Sequence, residues 1–387
     1  MTIPALDLDL FAPASLADPF DDYRRLRDAG PVVRLARPDV YAIGRFADVQ
    51  AALRAADVLI SGEGVGFSAA FNAPKGMNVL QSDGEIHRRL RAAVTRPLTP
   101  GRLREIRLEL KALIAGYVDT LIDAGEFDAM ATLARFLPVQ AVAHLVGLPD
   151  IGRERMLEWA SAAFNVMGPA LYPDDLAALG EARAFMASLT EETVTSGSWA
   201  AQLFEAARTG KLSHQEAMAA ISAYVIPSLD TTIYAKGHLL NNLARAPDQW
   251  AMLRADPGLI PAAVLEGVRH SSVIRWFSRL AQADYHVGEA VVPAGARVML
   301  LYGAANRDER RYADPDQFEI TRDARDHLAW GTGPHLCAGM ALARIEMEVL
   351  LEALVEAQVE LVAGEPIAGT NAGLSGFTAL PFRLTRS

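Results

Sequence analysis

The chain has 387 residues and a net charge of −10, and 51% of its residues are hydrophobic and 22% charged, a composition typical of globular proteins. The acidic balance argues against a general nucleic-acid binder, and the single cysteine excludes an intrachain disulfide and any cysteine cluster for zinc or iron–sulfur. No apolar run approaches the roughly 20 residues of a membrane-spanning helix, and the N-terminus lacks the order of a signal peptide, so we expect a cytoplasmic protein.

The first 80 residues combine short helix and strand patterns. DPFDDYRRLRDAG follows acidic residues and ends in glycine, as a short helix does. PVVRL and VYAIG are rich in β-formers and bounded by Gly and Pro, which predicts strands. Residues 61–80 show no sustained period and are rich in Gly, Ala and Asn, which predicts a loop.

A long helix is predicted between Thr99 and Gly125. Thr99 is a good N-cap, Pro100 suits the first helical position, and Gly125 ends the pattern. Apolar residues recur between them at steps of three and four, which predicts one buried face. They are Leu103, Ile106, Leu110, Leu113, Tyr117 and Leu121.

Helical patterns dominate the rest of the chain. They cover residues 129–147, 151–166, 175–195, 214–247 and 257–270. Residues 281–302 change to β character and predict a hairpin around Pro293–Gly295, a last long helix follows Cys337, and GLSGFTALPFRLT predicts strands. We therefore predict a single, mainly α domain with small β-sheets over residues 1–387.

The segment HLAWGTGPHLCAGMALAR surrounds the single cysteine, Cys337. Glycines before and after it give the backbone freedom and let a flat ligand approach closely. Because Cys337 directly precedes the predicted helix, amides and the helix dipole are expected to favour its thiolate and to tune a bound iron. A lone cysteine without such a frame is usually a buried packing residue.

The Gly-x-Gly-x-His-x-Cys-x-Gly frame of this segment resembles the haem-binding segment of the cytochrome P-450 superfamily, in the form of its soluble bacterial members. The resemblance implies the P-450 fold, haem b as the cofactor, Cys337 as the axial thiolate that binds the iron, and His335 as a contact of a haem propionate. Trp330 stands directly before Gly331, where members of the family commonly carry Phe. The larger ring is expected to alter the packing near the sulfur without removing the ligation.

A second segment, DGEIHRRLR, resembles the family's helix with a His and an Arg four residues apart. This spacing places His87 and Arg91 on one helical face, and the resemblance implies that both hold propionates. Gly84 replaces the family's usual Pro. A solvated basic helix is the alternative interpretation.

Two further segments match the family in the expected order. Glu266 and Arg269 match its Glu-x-x-Arg pair, which supports the haem-binding region, and ANRDERRYADPDQFEITRD matches the run that follows. Arg279, ten residues after Arg269, matches another propionate contact. An isolated pair of charges three residues apart occurs in many helices, so the order of the segments carries the argument.

The segment ISAYVIPSLDTT resembles the family's distal helix with its acid–alcohol pair, Asp230 and Thr231. The resemblance implies that this pair delivers protons to bound oxygen. Pro227 stands where Ala or Gly is usual, and Ser228 replaces the next Gly. A proline inside a helix removes one N–H and is expected to kink the helix or widen its turn.

No flavin or nicotinamide motif is present, so electrons are expected to come from other proteins. The resemblance implies a monooxygenase that uses O2 and is reduced by a ferredoxin and its NAD(P)H-dependent reductase. A basic docking patch is predicted on the thiolate side, although each arginine is equally compatible with a solvated surface. Its members are Arg88, Arg89, Arg96 and Arg344.

The segments GEGVGFS, AAFNVMGP and GLSGFTALP are similar to those of bacterial P-450 enzymes that O-demethylate small methoxy-aromatic acids. We predict a small, mostly apolar, aromatic substrate, although each pocket candidate is equally compatible with the core. The candidates are Phe67, Phe164, Met167, Ser228, Ile274, Phe277 and Phe377. Ser68 and Lys75 are the obvious anchors for a carboxylate, and a neutral methoxyphenol competes with a benzoate.

Four alternatives remain at this level. One is a hydroxylase of a larger natural product such as a terpenoid or polyketide, and another is a peroxide-driven haem-thiolate enzyme. The others are a non-catalytic haem sensor and a helical scaffold without haem. Asp230 and Thr231 argue against the peroxide-driven enzyme and the sensor, since neither needs a pair that delivers protons.

Overall fold

The computed structural model describes residues 2–73, 75–76, 78–149 and 155–386. The helices are α1 (Pro13–Ala17), α2 (Phe20–Ala29), α3 (Phe46–Arg54), α4 (Ala69–Asn72), α5 (Gly84–Thr95), α6 (Pro100–Ala124), α7 (Arg135–Ala141), α8 (Met156–Asn165), α9 (Pro173–Ser188), α10 (Trp199–Arg208), α11 (His214–Val225), α12 (Asp230–Arg245), α13 (Pro247–Ala255), α14 (Ile260–Ser271), α15 (Tyr302–Asn306) and α16 (Met340–Glu356). Helix therefore dominates, as predicted.

The strands are short and, apart from β5, lie in the first 60 residues or after residue 275. They are β1 (Ala5–Asp9), β2 (Val33–Arg37), β3 (Asp39–Ile43), β4 (Leu59–Ile60), β5 (Glu126–Asp128), β6 (Trp276–Ala281), β7 (Tyr285–Val287), β8 (Ala290–Val292), β9 (Arg297–Leu301), β10 (Val359–Ala363), β11 (Ile367–Ala368), β12 (Phe377–Ala379) and β13 (Pro381–Arg386). The largest sheet has the order β1-β2-β3-β9-β6-β4, and a second sheet has the order β10-β13-β5. The pairs β11-β12 and β7-β8 stand apart.

The long helix α6 shows how local signals set the bounds of an element. The Thr99 side chain accepts a hydrogen bond from the Arg102 amide, Pro100 occupies the first position, and Gly125 follows the last turn at φ 78°. The predicted stripe is wrong at Leu113, which is 39% exposed, because the buried face instead passes through Ile114. A helix has 3.6 residues per turn, so over 25 residues the buried face shifts around the helix relative to a fixed pattern of three- and four-residue steps.

The helix predicted over residues 129–147 is divided. Its ends, Met130–Ala134 and Val142–Val146, are π-helical and flank α7, which contains Pro138. A proline inside a helix removes one intrahelical hydrogen bond, which accounts for a locally widened spiral. Of the next predicted helix, residues 151–154 lie outside the described residues.

The predicted hairpin around Pro293–Gly295 is wrong. The hairpin joins β7 to β8 around Gly288, which has a φ of 60°, and residues 293–295 lead instead into β9, which pairs with β6 and β3. Helix α10 was not predicted, although Ser198 caps it by accepting from the Ala201 amide.

The helices that carry the site share one core. Helix α16 packs on α6 and α14, and α12 packs on α14 and against β10. Buried apolar residues from these helices form a continuous cluster. The burial of this apolar surface is the main force that holds the helices together. Among the described residues, no helix combines the length and hydropathy needed to cross a membrane.

Candidate functional site

The segment before Cys337 turns sharply. Gly331 and Gly333 have φ angles of 70° and 71°, which glycine adopts without steric cost. A Cβ on Gly333 would lie 2.8 Å from the Leu53 carbonyl oxygen, so a larger residue would displace the turn. The Cys337 amide donates to the Trp330 carbonyl at 2.9 Å. These contacts hold the sulfur just before α16.

The Cys337 side chain is exposed and receives hydrogen bonds from the backbone amides of Gly339 and Met340. The protein around it nevertheless removes enough water to raise the pKa of the thiol, and the two amides and the Arg91 charge only partly offset this. The amides at the helix N-terminus therefore favour the thiolate, as expected, but desolvation outweighs their effect in the protein chain alone. A metal bound at the sulfur would reverse the balance, because coordination deprotonates a thiol.

Two histidines lie against each other near the cysteine loop. The ring centroids of His87 and His335 are 4.3 Å apart, and His335 Nε2 lies 3.6 Å from Asp83 Oδ1. Burial, followed by the charges of His335 and Arg91, lowers the pKa of His87 to about 4. His87 is thus neutral at pH 7, and no described residue forms a hydrogen bond with its buried Nε2. A buried nitrogen left in this way fits a ligand with hydrogen-bonding oxygens.

Two arginines complete this cluster. Arg91, one turn after His87 on α5, donates from Nη1 to the Leu336 carbonyl beside Cys337. Arg279 on β6 is 3% exposed, and its charge contributes to lowering the pKa of His335. The structure thus brings all four predicted propionate contacts together around the cysteine loop, although they come from three distant segments.

The predicted Glu266–Arg269 pair is confirmed as a buried, bidentate ion pair. Its two nitrogen–oxygen distances are 2.7 and 2.8 Å. Arg269 also donates to the carbonyl oxygens of Asn306 and Pro315 at 2.8 and 2.9 Å. Arg322, which the sequence interpretation did not single out, donates to Glu266 Oε1 at 3.3 Å. The pair therefore ties α14 to the segment that leads to Cys337.

Pro227 divides the distal segment, as its sequence position predicts. Helix α11 ends at Val225 and α12 begins at Asp230. The Thr231 hydroxyl donates to the Pro227 carbonyl at 2.7 Å, and the Ser228 hydroxyl donates to the Tyr224 carbonyl. The break places Asp230 and Thr231 in the first turn of a new helix.

Asp230 is an isolated buried acid. Asp230 is only 5% exposed, and its Oδ2 has no hydrogen-bond partner among the residues that the structure describes. Burial raises the pKa of this carboxyl to about 7. Asp230 is therefore partly protonated near neutral pH, which suits a group that accepts and returns protons.

A buried ion pair links the distal helix to the helix after the cysteine. Lys236 Nζ lies 2.9 Å from Glu346 Oε2, and the two side chains are 0% and 4% exposed. Burial lowers the pKa of Lys236 and raises that of Glu346, and each charge opposes the shift of the other. The sequence interpretation missed this pair, although a lone lysine between apolar Ile233 and Leu239 was a usable signal.

The predicted pocket residues fall into two groups. Met167 and Phe164 are 0% and 6% exposed and lie in the core. Phe67, Ser228, Ile274, Phe277 and Phe377 are only partly buried. The Phe67 ring stacks on Trp276 with centroids 4.6 Å apart, so the partly exposed set has an aromatic character.

Neither predicted carboxylate anchor is free. Lys75 pairs with Glu63, and both side chains are largely exposed. The Ser68 hydroxyl donates to the Val166 carbonyl and accepts from the Phe71 amide as the cap of α4. A carboxylate would have to break one of these contacts to bind either side chain.

Three of the four arginines of the predicted basic patch are paired with acids. Arg88 bonds to Glu85, Arg89 lies 2.8 Å from Glu216, and Arg344 lies 3.3 Å from Glu348. Arg96 is exposed. Exposed ion pairs contribute little free energy, so these arginines can exchange partners at low cost.

The side chains near Cys337 fit an iron-containing group that has carboxylate substituents. In the part of the chain that the structure describes, no group of three or more His, Cys, Asp or Glu side chains could hold a metal ion. An iron at Cys337 would take its other ligands from elsewhere, as a haem iron does. The unpartnered His87 nitrogen and the neighbouring arginines fit the carboxylates of such a group.

Comparison with known proteins gives consistent matches. The family model described as Cytochrome P450 matches residues 183–365. Cytochrome p450 CYP199A2 of Rhodopseudomonas palustris is 34% identical over 99% of this chain and 95% of that protein. Beta-dihydromenaquinone-9 omega-hydroxylase of Mycobacterium tuberculosis is 33% identical over 98% of this chain and 78% of that protein. The structure of epothilone D-bound cytochrome P450epoK aligns with a TM-score of 0.86 at 28% identity, covering 99% of this chain and 100% of that one.

Proposed function

The chain belongs to the cytochrome P450 family, and we propose that it is a haem b-dependent monooxygenase that hydroxylates or O-demethylates a small, uncharged aromatic substrate. The observation that carries the proposal is the cluster around Cys337. The Cys337 sulfur accepts two backbone amides, and the same loop carries His335, whose ring lies 4.3 Å from that of His87, a residue with a buried ring nitrogen that has no hydrogen-bond partner among the described residues. This arrangement suits a flat, iron-containing group with carboxylate substituents.

The protein side chains would divide the binding of haem b between the iron and the propionates. Cys337 would provide a sulfur ligand to the iron, while His87, Arg91, Arg279 and His335 would hold the propionates. The bound haem supplies an iron that activates O2 with electrons delivered by another protein. The amides of Gly339 and Met340 would temper the charge of the thiolate.

Asp230 and Thr231, on the distal segment, would hold and transfer protons. Asp230 would hold a proton at Oδ2, since burial keeps its pKa near neutrality. The Thr231 hydroxyl donates a hydrogen bond to the Pro227 carbonyl in this structure. A rotation of the Thr231 side chain would release this bond and present the hydroxyl to the oxygen site. The helix break at Pro227 supports this role. Because α11 ends at Val225, the first turn of α12, which carries Asp230 and Thr231, does not continue a preceding helical turn.

The proposal of an uncharged substrate rests on the contacts of Lys75 and Ser68, the two side chains predicted to bind a substrate carboxylate. Lys75 is 55% exposed and already paired with Glu63, so it offers no buried positive charge, and Ser68 is committed to backbone groups. Burying a carboxylate among partly exposed aromatic rings without a partner is costly. A methoxyphenol therefore fits this chain better than a methoxybenzoate.

Substrate binding is testable by titrating the ferric protein with 2-methoxyphenol, 4-methoxyphenol and 4-methoxybenzoate. We expect a methoxyphenol to shift the haem spectrum towards high spin and to yield formaldehyde with NADH, a ferredoxin and its reductase. We expect the benzoate to bind at least about tenfold more weakly, because its charge must be desolvated. Tighter binding of the benzoate would contradict the uncharged substrate, and no response to any of the three would contradict the small-aromatic proposal.

We propose that a ferredoxin docks on the patch of Arg88, Arg89, Arg96 and Arg344. Replacing Arg88 or Arg89 by Glu should slow reduction by the ferredoxin about tenfold at low ionic strength, because a reversed charge repels an acidic partner. Stopped-flow reduction at several salt concentrations measures this effect. Arg37→Glu is the matched control, since Arg37 is exposed on β2 and pairs with Asp7. Equal rates for all three variants and the wild type would exclude this docking surface.

A further inference from the structure

In the described part of the chain, no hydrogen bond connects Asp230 to solvent through its neighbour Thr231. Its Oδ2 is buried and unpartnered, and the Thr231 hydroxyl is occupied by the Pro227 carbonyl. A carboxyl that releases a proton in each catalytic cycle must receive another from outside. The protein therefore needs a group beyond this pair that reaches Asp230.

Tyr234 occupies the position from which such a group could act. It lies one turn after Asp230 on α12, so the two side chains share a helical face. Burial, followed by the negative charge of Asp230, raises the pKa of Tyr234 to about 12, which keeps the phenol neutral. A Cβ on Gly376 would lie 2.2 Å from Tyr234 Cγ, so the ring lies directly on the backbone of the Gly376 loop and is held there.

The neighbouring helix α8 supplies the next hydroxyl. Tyr234 is within hydrogen-bonding reach of the Ser161 side chain, and Ser161 is partly exposed. Asn371 Nδ2 donates to the carbonyl oxygen and to Oγ of Ser161 at 3.0 and 3.3 Å. Two hydroxyls, those of Tyr234 and Ser161, thus lie beyond the buried acid on residues that are partly exposed.

The direction of these hydrogen bonds follows from Asn371. Its Oδ1 accepts from the amides of Gly373 and Leu374 at 2.9 and 3.0 Å, which assigns the Nδ2 end to Ser161. Because Ser161 Oγ accepts from Asn371, its own hydrogen is available for the Tyr234 oxygen. The Tyr234 hydroxyl then keeps its own hydrogen for another acceptor.

We propose that Ser161 and Tyr234 form a proton relay that recharges Asp230. As the Tyr234 proton moves towards the Asp230 carboxylate, directly or through one water, the Ser161 proton moves to the Tyr234 oxygen and water reprotonates Ser161. One proton enters and one is delivered, and neither hydroxyl keeps a charge. The use of the relay in oxygen chemistry rests on the proposed function, whereas the exchange of the Asp230 proton does not.

The test is hydrogen–deuterium exchange of the Asp230 carboxyl in the resting ferric protein, below pH 7 and without substrate. Rapid mixing into D2O shifts the infrared carbonyl band of the protonated acid, and Asp230→Asn identifies that band. Tyr234→Phe keeps the ring, and Ser161→Ala keeps the helix. We expect each to slow the exchange at least about tenfold, since each removes one carrier. Tyr224→Phe, which alters a buried tyrosine whose hydroxyl bonds to the Val94 carbonyl, should exchange at the wild-type rate.

Wild-type exchange in both Tyr234→Phe and Ser161→Ala would overturn the relay, as would the absence of any band sensitive to Asp230→Asn. Wild-type exchange combined with a changed affinity of Tyr234→Phe for substrate would instead make Tyr234 a substrate contact. If the variants exchange as predicted but the wild-type protein forms no thiolate-ligated haem, the relay is supported and the proposed function is contradicted. The carbon-monoxide difference spectrum of each variant separates these outcomes.

Discussion

Replacing Cys337 by Ser is expected to abolish the strongly red-shifted Soret band of the reduced, carbon-monoxide-bound protein. A serine hydroxyl does not ionise under these conditions and binds iron weakly, so the band should move to the ordinary haem position or haem should be lost. Turnover should fall by more than about three orders of magnitude, which corresponds to about 4 kcal/mol of barrier. Absorption spectra with haem quantification and product formation measure both effects.

The matched control is Ala338→Ser, which adds a hydroxyl in the same loop and retains the sulfur. Ala338 is only partly buried, so this change should keep the red-shifted band. A red-shifted band in Cys337→Ser would show that another group binds the iron. Wild-type protein without haem, after expression with haem supplied, would contradict the haem-thiolate proposal as a whole.

Replacing Asp230 by Asn is expected to lower the yield of product per NADH consumed and to slow turnover about 100-fold, because an amide cannot deliver the proton. The red-shifted band should remain, since Asp230 lies on the distal segment and not in the cysteine loop. Product and hydrogen peroxide, measured together, distinguish uncoupled from inactive enzyme. Asp248→Asn, which changes an exposed acid in the first turn of α13, should leave turnover unchanged, and an equal loss in both variants would contradict a specific role of Asp230.

The same substitution should change stability in a pH-dependent way. The folded-state pKa of Asp230 is about 7, against about 3.9 for an unfolded aspartate. Below about pH 4 the carboxyl is protonated in both states and contributes no difference. As the pH rises to about 7, the unfolded chain releases the proton first, so the free energy of unfolding falls by up to about 4 kcal/mol. The Asp230→Asn variant avoids this penalty, because an amide does not ionise.

We therefore expect Asp230→Asn to be more stable than the wild type at pH 8, with a smaller difference at pH 5. Denaturant unfolding of the two proteins at both pH values measures the change in free energy. The Asp248→Asn control should show no comparable trend. A difference that is constant with pH would mean that Asp230 is ionised in the folded protein and is better solvated than its burial indicates.

Features encoded by neighbouring residues could be predicted from the sequence. The ends of α6 follow from Thr99, Pro100 and Gly125, and the break between α11 and α12 follows from Pro227, because caps and prolines act within a few residues. The Glu266–Arg269 pair was also predictable, since its spacing alone makes contact possible. The errors at Leu113 and at the Pro293–Gly295 hairpin concern which neighbour an element packs against, and no local signal records that choice.

The order of residues along the chain was enough to establish the mainly α architecture, the frame around Cys337 and the ordered motifs that identify the family. How these parts interact depends on the folded arrangement: the Lys236–Glu346 pair, the unpartnered His87 nitrogen, and the contact of Tyr234 with Ser161 join residues from distant segments. The protonation of Cys337 and Asp230 also depends on the folded arrangement. At Cys337, desolvation by the surrounding elements outweighs the nearby backbone amides. At Asp230, burial raises the pKa of a carboxyl whose sequence neighbours are mostly polar. Burial is a property of the folded chain, and it gives these few polar groups their chemistry.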